Sequence, residues 1–182
     1  MEMDYELQIT ESILKGISEG QRELIDQGIF LVQMMSEEHE NTFSDYSFVV
    51  FPFAKAYEGF LKQVFFDIGF LSQTEYTSDH LRLGKVLSPN LVRRLGDKSI
   101  YEKICSRGWC QLADEIWDTW KAARNQVFHY FAHNLHSLTL KEAVVLCNMI
   151  LINMDKILSV YMGDTAISDS ESVRVIDFVK KP

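Results

Sequence analysis

Six consecutive residues, Arg124-Asn125-Gln126-Val127-Phe128-His129, carry a guanidinium, a carboxamide and an imidazole. Together these groups suit a phosphate. Arg offers a planar fork of donors for phosphate oxygens, and a histidine titrates near neutral pH and can move a proton. Asn125 and His129 are four apart, so on a helix their side chains share a face, and Lys121 lies on the same strip. An ideal helix sets Arg124 and His129 about 140° apart. They meet at one phosphate only if the Arg reaches around, the helix distorts, or residues of two copies combine. That geometry is the reason to expect a dimer. The plain alternative is the solvated outer face of an amphipathic helix, on which a lone His is surface.

A second polar row, Lys55, Glu58 and Lys62, recurs at spacings of three and four within a segment that is otherwise apolar. His133 and His136 extend the spacing from His129 to HxxxHxxH, a pattern that can hold a metal on a helix. Asn134 and the Ser137-Leu138-Thr139 turn should end that helix before His136, so no metal is expected. Cys105, Cys110 and Cys147 form no CxxC pair and read as small apolar residues of a reducing compartment. The aromatic run Phe48, Phe51, Phe53, Tyr57, Phe60, Phe65 and Phe66 reads as core or dimer interface rather than as a platform for bases. No glycine-rich phosphate loop or paired-carboxylate signature occurs.

The elements that must position these groups are helical. Residues 5 to about 38 carry apolar positions at helical spacing from Leu7 to Met35, with a break expected near Gly20 or Gly28. Tyr46 to Leu71 is apolar almost all round, the mark of a central helix, and Pro52 is expected in its first turn. Short helices are expected near 80–86, 89–95 and 99–106, between turn signals. From Leu112 to about Phe131 a strong helix buries Leu112, Ile116, Trp120, Ala123, Val127 and Phe131. Opposite them stand Asp114, Asp118, Lys121, Asn125 and His129, and Tyr130 and Phe131 crowd the helix end behind His129. Thr139, with Glu142 three residues on, opens a last helix to Met162 as a capping box. After Gly163 the tail alternates at Val173, Val175 and Phe178, which reads as strand-like or loose. The expected organisation is an N-terminal helical extension (1–44), a helical bundle (45–162) and a C-terminal tail (163–182).

The 182 residues suit one domain, and 47% hydrophobic residues suffice to close a core. The net charge of −8 counts against broad contact with a nucleic-acid backbone, which draws on a basic footprint. The chain shows no such footprint, so any contact with a nucleic acid should be local, or a partner should supply positive charge. Met1-Glu2-Met3-Asp4 does not read as a signal peptide, and the apolar stretches read as too short to span a bilayer. The expectation is a cytoplasmic protein without a membrane partner.

The run Arg124 to His129, RNxxxH, resembles the RxxxxH signature of HEPN ribonucleases, in which Asn commonly follows the Arg. The resemblance covers residues 45–162. The phrase PFAKAYEGFLK (52–62) ahead of ARNQVFH (123–129) is similar to the C-terminal HEPN domain of RnlA/LsoA-type bacterial toxins. That resemblance implies an all-α, HEPN-like four-helix bundle with an extra N-terminal helix and a short tail. It also implies a homodimer with two motif copies facing each other. The full toxins carry further domains upstream, so the chain would correspond to the catalytic domain or to a stand-alone relative. In the family, RNA is cleaved without metal or cofactor by 2′-OH attack, leaving a 2′,3′-cyclic phosphate. His129 would then transfer the proton, Arg124 stabilise phosphorane charge and Asn125 orient phosphate or imidazole. Glu58 matches the family's acidic residue and would position Arg124 or tune His129, and Lys121, His133 and Lys55 would hold the RNA. An antitoxin or other neutralising protein is the implied partner. The alternative is a HEPN-fold module that binds a nucleotide or a protein without cutting.

Overall fold

The computed structural model of the chain describes residues 5–39, 41–129 and 132–168, and their side chains except those of Glu38, His133 and residues 162–168. The chain is all-helical, with no strand among the described residues. Its helices are α1 (Glu11–Gly16), α2 (Glu19–Glu38), α3 (Ser47–Asp67), α4 (Gln73–Tyr76), α5 (Leu83–Val86), α6 (Val92–Leu95), α7 (Ile100–Cys105), α8 (Cys110–Trp120) and α9 (Leu140–Ser168).

The centre is α3. Val49, Val50, Phe53, Ala56, Tyr57, Phe60, Leu61 and Phe65 are buried along it, because α2 and α9 cover it from two sides. Tyr57, fully buried, donates its hydroxyl to Asn153 Oδ1 on α9 at 2.6 Å. A buried polar pair of this kind fixes the register of two helices, since either group left alone forfeits its solvation. The helix starts one turn earlier than Pro52 suggests, at Ser47. The aromatic run divides: Phe53, Tyr57, Phe60 and Phe65 are core, whereas Phe48 and Phe51 are exposed.

The N-terminal segment is not set apart from the bundle. Ile13, Ile25, Val32 and Met35 are buried in the same cluster as α3 and α9, so a boundary at residue 44 divides no core. The break falls at Ile17-Ser18, where Ser18 and Gln21 form a capping box. Gly28 does not break α2. It lets α2 approach α3, since a Cβ there would overlap the Phe53 ring. Residues 5–10 are not helical, and backbone groups of Glu6 and Gln8 bond the Asn148 side chain on α9.

Three further expectations are corrected. Cys105 and Cys110 form a disulfide joining the end of α7 to the start of α8. Gly108, at φ 83°, turns the chain back between them, a closure that residue spacing does not announce. Cys147 alone is a free, buried thiol, pushed far above its usual pKa by burial. Residues Leu140–Tyr161 of α9 are long and apolar enough to cross a membrane, against the expectation that no stretch is; half of that stretch is buried within the bundle, against α1, α3 and α8. Finally, α9 runs on to Ser168 instead of ending at Met162. Its start is as expected, with Thr139 and Glu142 bonding each other's backbone. Tyr130, Phe131, Val173, Val175 and Phe178 lie outside the described residues.

Candidate active site

The helix expected to run to Phe131 leaves α geometry ten residues earlier. After Trp120 the winding widens into a π-helical turn, Lys121–Gln126, that carries Arg124 and Asn125. A π-turn bonds i to i+5 and so holds more residues per turn than an α-helix; such turns are frequent at functional sites. His129 itself stands just beyond the π-turn and is exposed.

Arg124 points at α3. Its Nη2 lies 3.5 Å from Glu58 Oε2, and its guanidinium carbon sits 5.4 Å from the centre of the Trp120 ring. The other oxygen of Glu58 meets Lys62 Nζ at 3.3 Å. Glu58 therefore joins two cations, one from its own helix and one from the π-turn. The Arg124 side chain remains 39% exposed and that of Glu58 30%, so water and a ligand can still reach both.

Beside this pair opens a groove of about 290 Å³ lined by Phe51, Ala54, Lys55, Glu58, Arg124 and Phe128. Phe51 and Phe128 meet edge to face at 5.7 Å across its rim. The groove thus combines a carboxylate, two cations and two exposed aromatic rings, a set that fits a phosphate with an attached base.

Arg124, Glu58 and Lys55 line one groove together, and His129, next in the chain to the groove residue Phe128, does not line it. Asn125 is half-buried and Lys121 exposed, both on the π-turn; the His133 side chain lies outside the described ones. Sequence reasoning missed Trp120 as the seat of Arg124, although their i,i+4 spacing carries that signal. It also missed Phe51 and Phe128 as the rim, because exposure of single aromatics in an apolar run leaves no pattern.

The segment after His129 is tied back to the start of α3. Asp45 accepts hydrogen bonds from Ser47 N–H (2.9 Å), Ser47 O–H (2.6 Å), Leu138 N–H (3.2 Å) and Asn134 Nδ2 (3.2 Å). Asn134 takes a left-handed conformation, φ 51°, which Asn tolerates better than most residues. Burial pushes the Asp45 carboxyl up, but these hydrogen bonds outweigh it and hold the group below its usual value. Tyr46 N–H donates to Leu138 C=O at 2.9 Å. The carboxylate and this backbone bond anchor the chain that leads away from the motif.

No protein-family model, curated protein or solved structure matches the chain.

Proposed function

We propose that the chain is a metal-independent endoribonuclease of the HEPN type, active as a homodimer. The observation that carries the reading is the Arg124–Glu58 pair at an open groove, with Arg124 and Asn125 on a π-turn and His129 directly after it. Glu58 would hold the guanidinium ready for a phosphate, so that charge building on the phosphorane meets a preorganised donor. His129 would take the 2′-OH proton or return one to the leaving 5′ oxygen. The oxygen attacks phosphorus, the P–O5′ bond breaks, and a 2′,3′-cyclic phosphate remains. Asn125 would orient phosphate or imidazole, with Lys55, Lys121 and His133 holding the strand.

His129 does not line the groove of its own copy, and a second copy would complete the site. In a two-fold dimer the same patch meets itself. The exposed rings of Phe43, Phe48, Phe51 and Phe128 supply an apolar rim for that contact, since patches of this kind mark interfaces. In this reading the protein is the toxic half of a toxin–antitoxin or anti-phage pair, restrained by a neutralising protein.

The test is cleavage of single-stranded RNA by the wild type, Arg124→Ala and His129→Ala, with the 3′ end analysed chemically. Loss of cleavage in both variants and a cyclic phosphate from the wild type support the reading. Undiminished cleavage by both ends it. A second reading, a HEPN-fold module that binds without cutting, is favoured by the position of His129 outside the groove and by the acidic balance. Harmless overexpression of the wild type would point to that module, whereas a growth defect relieved by His129→Ala points to the nuclease.

A further inference from the structure

The expectation that this acidic chain has no basic footprint fails in one region. Seven of its 18 Lys and Arg residues fall between Arg82 and Arg107, against two acidic ones, Asp97 and Glu102. The short helices α5 to α7 fold this stretch into a pocket of about 220 Å³ whose walls carry Arg82, Lys85, Lys98 and Lys103, with His80 beside them. A single carboxylate, Glu75, lines it. That group is engaged: Ser72 backbone and side chain bond it, and these bonds, then the charges of Lys103 and Lys98, hold it below its usual pKa. Lys103 is fixed by donating to Phe70 C=O at 2.8 Å. Arg82 donates to Asp79 C=O at 2.6 Å. Lys85 and Lys98 form no ion pair with a described residue, and both are exposed.

Cations converging on a concave site focus positive potential far more than the same charges spread over a surface. Groove and pocket are linked through α3 and α4. Glu58, Lys62 and Phe66 follow each other at four-residue spacing along α3, and Tyr76 of α4 stacks on Phe66 at 4.8 Å. Tyr76 donates its hydroxyl to Gln63 at 2.7 Å, and its neighbour Glu75 lines the pocket. From Glu58 to the end of α3 at Asp67 is about 14 Å at the rise of an α-helix. Four or more nucleotides, at about 3.4 Å each when stacked, cover that length.

We propose that the Arg82–Lys85–Lys98–Lys103 pocket is a phosphate-binding subsite that holds the backbone of a single-stranded RNA several nucleotides from the groove. The choice of RNA as the phosphate-bearing polymer rests on the ribonuclease reading; the pocket and its charge do not. The net negative charge of the remaining surface makes contact local, so a strand is held at the groove and at this pocket and repelled elsewhere.

The test uses the full chain and a fluorescein-labelled 2′-O-methyl RNA dodecamer, which lacks the attacking hydroxyl, read by anisotropy between 50 and 200 mM salt. Removing two phosphate contacts with Lys85→Ala/Lys98→Ala should weaken binding roughly ten- to thirty-fold near 100 mM and reduce the log–log salt slope by about 1.4. Lys15→Ala/Lys141→Ala, the same charge change on exposed lysines elsewhere, should leave both nearly unchanged. Equal losses in the two double variants, an unchanged slope in the first, or no binding by the wild type overturn the proposal. Adenosine monophosphate at 1 mM should not displace the dodecamer. If it does, the subsite serves a small phosphorylated ligand; displacement by polyglutamate assigns it to an acidic protein. Either outcome removes RNA from it. Cleavage of 2′-OH RNA is scored separately, so binding that survives without cleavage strikes the nuclease reading alone.

Discussion

Arg124 on the π-turn and Glu58 on α3, 66 positions apart in the chain, bring Nη2 within 3.5 Å of Oε2. Trp120 lies behind the guanidinium and Lys62 holds the far carboxylate oxygen. The pair is partly exposed, and pairs of that kind contribute at most about 1 kcal/mol to stability. Its value on the present account is orientation.

Glu58→Gln should therefore separate activity from folding. The melting temperature stays close to that of the wild type, whereas RNA cleavage falls by roughly one to two orders of magnitude, the cost of a misplaced catalytic group. Thermal melts run beside cleavage rates check this. A variant that cleaves normally would remove Glu58 from the site.

Tyr57→Phe tests the joint between α3 and α9. It leaves Asn153, 5% exposed, without its buried donor, and should cost about 1–3 kcal/mol in urea unfolding. Adding Asn153→Leu should recover part of that loss, because no polar group is then stranded. An additive further loss would argue that packing, and not the hydrogen bond, joins the helices.

Gly28→Ala pits helix propensity against space. In an open helix Ala would gain about 1 kcal/mol over Gly. Here its methyl group meets the Phe53 ring, so a net loss of about 1–3 kcal/mol is expected. Calorimetry decides by the sign of the change.

Asp45 makes acid stability predictable. Its carboxyl is held below the usual 3.8 in the folded chain, so the stability it contributes is present above that value and is lost as pH falls through the lower, folded-state one. The gap between wild type and Asp45→Asn should be constant from neutral pH down to about pH 5 and shrink below about pH 4. Urea midpoints taken along that range would show it, and a gap that does not narrow at all below about pH 4 would assign the loss to shape instead of charge.

Much of this arrangement was legible beforehand because periodicity reports burial directly. The stripe Leu112, Ile116, Trp120 and Ala123 is buried, the capping box at Thr139 opens α9, and the polar row on α3 holds the partner of Arg124. What stayed hidden depends on tertiary contact. The π-turn at Lys121–Gln126 has no composition signal. Residues of α2 look like an appendage until Gly28 is seen to admit Phe53. The basic pocket was present in the sequence as a run of cations and was masked by averaging charge over the whole chain.

The most direct measurement mixes two inactive variants. Arg124→Ala and His129→Ala are combined under conditions that let subunits exchange, and RNA cleavage is followed. If each site takes Arg124 from one copy and His129 from the other, a mixed dimer holds one intact site, and about a quarter of wild-type activity returns. A mixture no more active than either variant alone, although exchange is demonstrated, would contradict a site built from two copies.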